Sequence, residues 1–274
     1  MIYKPQTGRM KDNCIYYANG KYYHYSMYCK KDRYPHYNNV FLSISEDGVH
    51  FQDYGCVVED FPKRVWAMKV YQGKDAYYMN SGSFTDDERQ AILKFWRSED
   101  LVHWEYQPEL DLLAPSDGDV RLDCMNIVKM PDKYYGFSTG DYLFWESDDG
   151  KHWTIVNGTI ETGPMPQDEK HFEIADCIEI DGEFYLFSGA FGHLGSRGYG
   201  VYLYKSDDPF GPFRPIFPHY RINGTSKRWV NMWERCFKKG TEILANNYMY
   251  DGYTYECGET YLPPLKKIEK MQHN

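Results

Sequence analysis

No run of 18 apolar residues occurs anywhere in the 274-residue chain, so no transmembrane helix is expected. The first residues, Met1-Ile2-Tyr3-Lys4-Pro5-Gln6-Thr7-Gly8, lack the apolar stretch of a secretory signal. The expectation is a cytoplasmic protein, or a secreted one if a leader has been removed ahead of this point. Basic clusters are missing beyond short pairs such as Lys30-Lys31, and 31 basic against 40 acidic side chains leave a net charge of −9. That balance argues against a nucleic-acid partner. Cysteine is present without pattern: seven residues, an odd number, with no CxxC spacing. Reduced thiols fit this better than a disulfide framework or a zinc site, and no cysteine stands in an activating context for a nucleophile. Sustained helical periodicity between capping signals is absent too, which leaves a chain that is nearly all β.

What the chain does have is apolar and aromatic residues. Hydrophobic residues make up 42%, enough for a sizeable core, and aromatics reach 18%, with 27 Tyr among them. Tyr and Trp suit half-buried strands, and their flat faces also suit sugar rings. The chain repeats itself. Ser45-Glu46-Asp47-Gly48-Val49-His50-Phe51 returns as Ser98-Glu99-Asp100-Leu101-Val102-His103-Trp104 and as Ser147-Asp148-Asp149-Gly150-Lys151-His152-Trp153. A looser copy runs from Ser206 to Phe213, and the four starts are 53, 49 and 59 residues apart. Each copy reads as a strand ending in Ser, an acidic turn, and an aromatic re-entering the core; the His50, His103 and His152 series belongs to the turn. Two Asn-Gly-Thr sequons, at Asn157 and Asn223, are read as tight turns rather than glycosylation sites.

A second repeat interleaves with the first. Gly20-Lys21-Tyr22-Tyr23 is echoed by Asp75-Ala76-Tyr77-Tyr78, Asp132-Lys133-Tyr134-Tyr135, Gly182-Glu183-Phe184-Tyr185 and, more weakly, Gly240-Thr241-Glu242-Ile243. These are hairpin turns leading into strands of alternating pattern, each preceded by an apolar strand. Five units of about 50 residues with four strands each match a propeller. The fold expected is an all-β, five-bladed β-propeller with four antiparallel strands per blade, a single domain over residues 1–274 with no appended β-sandwich. A β-sandwich is the competitor, but it requires no pattern recurring five times.

The innermost strands of a propeller run along its axis, and residues at their starts converge on one mouth. Reading back from each hairpin gives Lys11-Asp12-Asn13-Cys14, Val65-Trp66-Ala67-Met68-Lys69, Arg121-Leu122-Asp123-Cys124, His171-Phe172-Glu173-Ile174-Ala175-Asp176 and Asn231-Met232-Trp233-Glu234-Arg235. Asp12, Asp123 and Glu173 each stand about ten to twelve residues ahead of the aromatic pair, before an otherwise apolar strand. Acids are costly to bury unless paired, hydrogen-bonded or put to use. Converging carboxyl groups are what glycoside hydrolysis needs: one protonates the leaving oxygen, and an ionised one attacks or activates water. Trp66 and Trp233 would offer stacking faces, and His171, Arg121 and Arg235 donors to hydroxyls. Taken singly, an Asp at a strand start is often a cap, and each Trp a packing residue. The set of three acids carries the reading.

At these residues the sequence resembles the five-bladed propeller glycoside hydrolases, families 43, 62, 32 and 68. Asp12-Asn13-Cys14-Ile15 is similar to their opening Asp-Pro motif, Arg121-Leu122-Asp123-Cys124 to the Asp-Pro motif of blade 3, and Glu173-Ile174-Ala175-Asp176 to the Glu-Gly-Pro or Glu-Cys-Pro motif. The resemblance implies Asp12 as base or nucleophile, Asp123 as transition-state stabiliser and modulator, and Glu173 as general acid. It implies a non-reducing-end furanoside or pentoside as substrate, of arabinoside, xyloside or fructoside type. Proline is missing after all three acids, which marks a divergent member. Two alternatives stay open. One is a phosphate-dependent phosphorylase, with Arg121, Arg235 and Lys69 as its basic cluster. The other is a propeller that binds carbohydrate without cleaving it. No metal or other cofactor is implied. Glu259-Thr260-Tyr261-Leu262-Pro263-Pro264 reads as the closing strand and its stop.

Overall fold

The computed structural model describes residues 3–31, 36–85, 90–115, 122–140, 142–161, 169–192, 199–216, 221–224, 229–251, 259–262 and 264–268, with the backbone alone at some strand positions, His171 and Trp233 among them. Every statement below concerns these residues.

Five antiparallel sheets follow one another along the chain, each built outward from its first strand. Blade 1 holds β1 (Arg9–Ala18), β2 (Lys21–Cys29), β3 (Asn39–Ser45) and β4 (Gln52–Val58). Blade 2 holds β5 (Trp66–Gln72), β6 (Tyr77–Phe84), β7 (Ala91–Ser98), β8 (Glu105–Tyr106) and β9 (Leu112–Leu113). In blade 3 come β10 (Leu122–Lys129), β11 (Tyr134–Gly140), β12 (Phe144–Ser147) and β13 (Thr154–Val156). Blade 4 has β14 (Glu169–Ile180), β15 (Glu183–Gly192), β16 (Tyr199–Ser206), β17 (Arg214–Pro215) and β18 (Arg221–Gly224). Blade 5 has β19 (Trp229–Lys239), β20 (Glu242–Asp251), β21 (Glu259–Tyr261) and β22 (Lys266–Ile268). The first strands touch in a closed cycle, β1 to β5, β5 to β10, β10 to β14, β14 to β19 and β19 back to β1. This is the five-bladed propeller.

Blades 1, 3 and 5 have four strands, in unbroken order in blades 1 and 3. In blades 2 and 4 the outer position is shared by two short strands, β8 with β9 on β7 and β17 with β18 on β16. The long inner hairpins outrun a single outer strand, and in blade 2 a short turn from Pro108 to Leu110 breaks the edge. Blade 5 is shallower. Both β21 and β22 pair with β20, so the strand run resumes after Pro263-Pro264 instead of stopping there. The ring closes through both ends of the described chain: Tyr3 and Leu262 exchange backbone hydrogen bonds of 2.9 and 2.8 Å. Asn223 lies within β18 rather than in a tight turn.

Apolar side chains fill the gaps between neighbouring blades, as burying both faces of each sheet demands. Tyr25, Leu42, Val70 and Met79 pack between blades 1 and 2, Leu93, Phe95 and Met125 between 2 and 3, and Phe137, Leu186 and Tyr204 between 3 and 4. Tyr3, Tyr22, Phe237 and Leu262 seal blade 5 to blade 1. The acidic turns behave as their composition predicts. Ser45 Oγ accepts from the Gly48 N–H at 2.9 Å, while Asp47 Oδ1 accepts from the N–H groups of Val49 and His50 at 2.8 Å each. Its Oδ2 lies 2.6 Å from His50 Nδ1. The same pattern recurs at Ser98, Asp100 and His103 and at Ser147, Asp149 and His152, which makes these histidines turn residues. Leu101 replaces the glycine of its sisters and takes the same left-handed backbone, φ +70° beside +75° at Gly48 and +78° at Gly150.

Candidate functional site

All five innermost strands carry a β-bulge within three residues of one common rung. Counting four rungs back from the pair that closes each hairpin, which is Gly73–Ala76 in blade 2 and Met130–Lys133 in blade 3, gives the cross-strand pairs Cys14–Tyr25, Lys69–Asn80, Asn126–Phe137, Asp176–Phe187 and Arg235–Asn246. Just ahead of that rung the register slips in every blade: at Asp12, at Ala67-Met68, at Asp123-Cys124, at Ala175 and at Trp233-Glu234. An extra residue on one strand bends it and re-aims a side chain. Asp12 is itself the bulged residue, with φ +41°, and Ala67 has the same φ in blade 2. Asp tolerates this left-handed conformation better than most residues.

Asp12, Asp123 and Glu173 lie within their strands rather than at the first residue, and all three are buried, with relative exposures of 5%, 2% and 7%. Asp123 and Glu173 stand three residues ahead of the common rung and Asp12 two ahead. Each acid thus lies at a bulge or within two residues of one. Gly82 on β6 fixes part of this arrangement. A Cβ there would meet the Leu122 carbonyl oxygen at 1.7 Å and the Asp123 carbonyl oxygen at 2.7 Å, so only glycine lets β10 approach so closely.

Directly beneath the acids, the rung itself is charged. Lys69 Nζ donates to both carboxylate oxygens of Asp176, at 2.8 and 2.7 Å, and Asp176 also accepts from the N–H groups of Cys236 at 2.6 Å and Cys177 at 2.9 Å. Blades 2 and 4 are not neighbours, so this pair crosses the axis. Arg235, 1% exposed, donates from Nη1 to the Met68 carbonyl and from Nη2 to Cys124 Sγ at 3.0 Å. Burial pushes the Cys14 thiol up to about 11 and the Cys124 thiol upward as well, against the pull of Arg235. Both are protonated near neutral pH and neither is a ready nucleophile. The small bulge residues Ala67, Cys124 and Ala175 pack together around this floor.

After two of the three acids, the residue that stands in place of proline makes a contact of its own. Asn13 Oδ1 accepts from Asn246 Nδ2 at 2.5 Å, and Cys124 accepts from Arg235. A proline after either acid could make neither contact. The contacts also bear on the remaining expected residues. Trp66 is half-buried with its ring edge-on to Phe84 at 4.6 Å, a packing contact that leaves the indole partly exposed. Arg235 spends these bonds inside the protein, and its guanidinium belongs to the floor. Arg121 lies outside the described residues, as do the side chains of His171 and Trp233. Among the described residues no group of three or more His, Cys, Asp and Glu gathers in a way that would hold a metal ion. Sequence reasoning missed Asn80, Gly82, Asn246 and the pairing of Lys69 with Asp176. The signal was a polar or charged residue set into an apolar, aromatic strand at a constant distance from the hairpin.

No protein-family model matches the chain, and no curated protein matches it. Solved structures do. The GH32 β-fructofuranosidase of Bombyx mori superposes with a TM-score of 0.74 at 13% identity, over 96% of this chain and 61% of its own. This chain thus spans about three fifths of that enzyme; a variant of the enzyme has been solved with sucrose. A GH43 β-xylosidase/α-arabinofuranosidase from a compost microbial metagenome, solved with xylotriose, gives 0.68 at 13% identity over 100% of this chain and 96% of its own. The α-L-arabinanase of Cellvibrio cellulosa, complexed with arabinohexaose, gives 0.67 at 12% identity, over 94% and 92%. The fold is shared with the five-bladed propeller glycoside hydrolases of families 43 and 32.

Proposed function

We propose that this protein is a glycoside hydrolase acting on a non-reducing-end furanoside or pentoside. Glu173 protonates the leaving oxygen, Asp12 serves as base or nucleophile, and Asp123 stabilises the transition state and modulates the acid. The observation that carries the reading is the burial of three carboxyl groups from blades 1, 3 and 4, each two or three residues ahead of the same rung. A fold would not retain three such groups on apolar strands without a use for them. The sugar-bound enzymes that share the fold support the substrate class by analogy. Partly exposed Trp66 is the candidate stacking face among the described side chains.

Two of the three cations of the phosphorolytic alternative are otherwise engaged, Lys69 by Asp176 and Arg235 by its buried contacts, while Arg121 lies outside the described residues. A phosphate would have to displace the Asp176 carboxylate to use Lys69.

The experiment is a panel of arabinosides, xylosides and fructosides, with and without inorganic phosphate, read by NMR for product and anomer. Hydrolysis independent of phosphate is expected. Retention would indicate carboxyl groups about 5–5.5 Å apart and inversion roughly 6.5–9.5 Å. Binding without product across the panel would refute the proposal.

A further inference from the structure

The rung that carries the charged floor on the first strands carries a different pattern on the second strands. Its five occupants are Tyr25, Asn80, Phe137, Phe187 and Asn246. Three are aromatic, as the core demands, and two are asparagines, 0% and 2% exposed. A buried amide in an aromatic position is costly unless it makes its hydrogen bonds.

Both asparagines reach across to the first strand of the next blade, and they reach the same position there. Asn80 Nδ2 donates to the Met125 carbonyl at 2.8 Å, and Asn80 Oδ1 accepts from the Met125 N–H at 2.7 Å. Asn246 Nδ2 donates to Asn13 Oδ1 at 2.5 Å, a contact with the side chain instead of the backbone, and its own Oδ1 is buried with no partner among the described residues. Met125 and Asn13 each stand five residues before the end of their first strand's hairpin, immediately after the bulge. An innermost strand has no further strand on its axial side, and a bulge weakens its pairing on the other. The Asn80 amide, with one donor and one acceptor, replaces the missing strand partner where β10 needs it.

The two asparagines face the two blades that hold the candidate aspartates. Blade 2 clamps blade 3, which holds Asp123, and blade 5 clamps blade 1, which holds Asp12. Blade 1 faces blade 2 with Tyr25, at a bulge where Ala67 is found, whereas Phe137 faces blade 4, which holds Glu173, and Phe187 faces blade 5 with Glu234 at its bulge, so the asparagines serve the two aspartates alone. We propose that Asn80 and Asn246 are paired positioning residues that fix the carboxylates of Asp123 and Asp12 through the bulges behind them; this rests on the hydrolytic reading above. Ser81 and Ser83, on the opposite face of β6, donate to the carbonyls of Trp66 at 2.9 Å and Arg64 at 2.8 Å. One stretch of β6 thus seats the acid of blade 3 and the bulge edge of blade 2 together.

The test uses the full chain with Asn80→Ala and Asn246→Ala, and Tyr25→Phe as the control from the same rung. Tyr25 donates to the Leu101 carbonyl at 2.6 Å, so the control also loses one buried inter-blade hydrogen bond. Crystal structures of the variants should show the Asp123 carboxylate displaced by about 1 Å in N80A, and that of Asp12 in N246A, with both in place in Y25F. On a turned-over glycoside, kcat should fall by about 10- to 100-fold in each asparagine variant with KM within about twofold, and stay unchanged in Y25F. If either alanine variant fails to fold, Asn→Ser at that position keeps one hydrogen-bonding group and should show the same displacement in part. Undisplaced aspartates in the variants, or a kcat loss equal to that of Y25F, would overturn the proposal. The displacement is read whether or not a substrate is found, so an inactive wild-type chain with displaced aspartates would refute hydrolysis and leave the clamps standing.

Discussion

Lys69 and Asp176, 107 residues apart, meet across the axis of the ring with Nζ 2.8 and 2.7 Å from the two carboxylate oxygens. The pair joins blade 2 to blade 4 beneath the candidate acids. Breaking a buried pair by removing one partner costs about 3–5 kcal/mol, because a charge is left uncompensated. The Asp176 side chain is fully buried, whereas Lys69 keeps 12% of its exposure. Lys69→Met should therefore destabilise more than Asp176→Asn, whose amide oxygen can still accept a backbone N–H. Denaturant unfolding of both variants checks the order. Equal small losses would mean that the pair contributes little.

The acidic turns predict a pH dependence. Bonds from His50 hold the Asp47 carboxyl well below its usual range; at Asp100 and Asp149 burial works the other way, and the bonds from His103 and His152 outweigh it. A depressed folded value means that the stabilisation is complete above the unfolded value of about 3.9 and is lost as pH falls through the lower folded values. Urea midpoints should hold steady down to about pH 4 and decline below it on this account. The Asp47→Asn, Asp100→Asn, Asp149→Asn triple variant should be less stable at neutral pH and flatter in acid. An unchanged acid slope would contradict the assignment.

Gly82 gives a sharper steric prediction. Gly82→Ala sets a methyl carbon against the Leu122 backbone, which cannot rotate away as a side chain could. Overpacking of this kind costs about 1–3 kcal/mol or more, and here it also pushes β10 and Asp123 from the axis. The variant should lose both thermal stability and any sugar turnover. A fully active, equally stable G82A would show that the approach is looser than described.

Ring closure depends on Tyr3. Its backbone pairs with Leu262, its hydroxyl donates to Asp53 at 2.6 Å, and its ring lies in the seam with Tyr22 and Phe237. Tyr3→Ala should cost about 3–5 kcal/mol, as for other buried aromatics. Tyr3→Phe should lose only the hydroxyl bond to a carboxylate, about 1.5–3 kcal/mol. Thermal melts separate the two; equal losses would place the latch in the hydroxyl alone.

The five-blade architecture was legible because turn chemistry is local. Ser, Asp and Gly at fixed offsets write the outer turn, and each Gly- or Asp-led aromatic run writes the inner hairpin. The candidate acids were legible for a related reason: a carboxylate ahead of an apolar strand is conspicuous. The bulges were not, since nothing in Asp12-Asn13 or Asp123-Cys124 announces an extra residue. Lys69 was read as part of a phosphate-binding cluster and Arg235 as a sugar donor because their partners arrive only when the ring closes. Asn80 and Asn246 become visible as a pair only once the register assigns them the same rung. The split outer strands and the Tyr3–Leu262 latch likewise depend on contacts between distant segments.

The central claim is that acids from separate blades act together on a glycosidic bond, and the leaving group tests it most directly. A general acid matters when the departing oxygen is basic and matters little when it is not. Turnover by the wild-type chain should be compared with that of Glu173→Gln on an oligosaccharide and on the matching dinitrophenyl glycoside. The account predicts a loss of about 100- to 10,000-fold on the oligosaccharide and a far smaller one on the activated glycoside. Equal rates for wild type and E173Q on both substrates would contradict it.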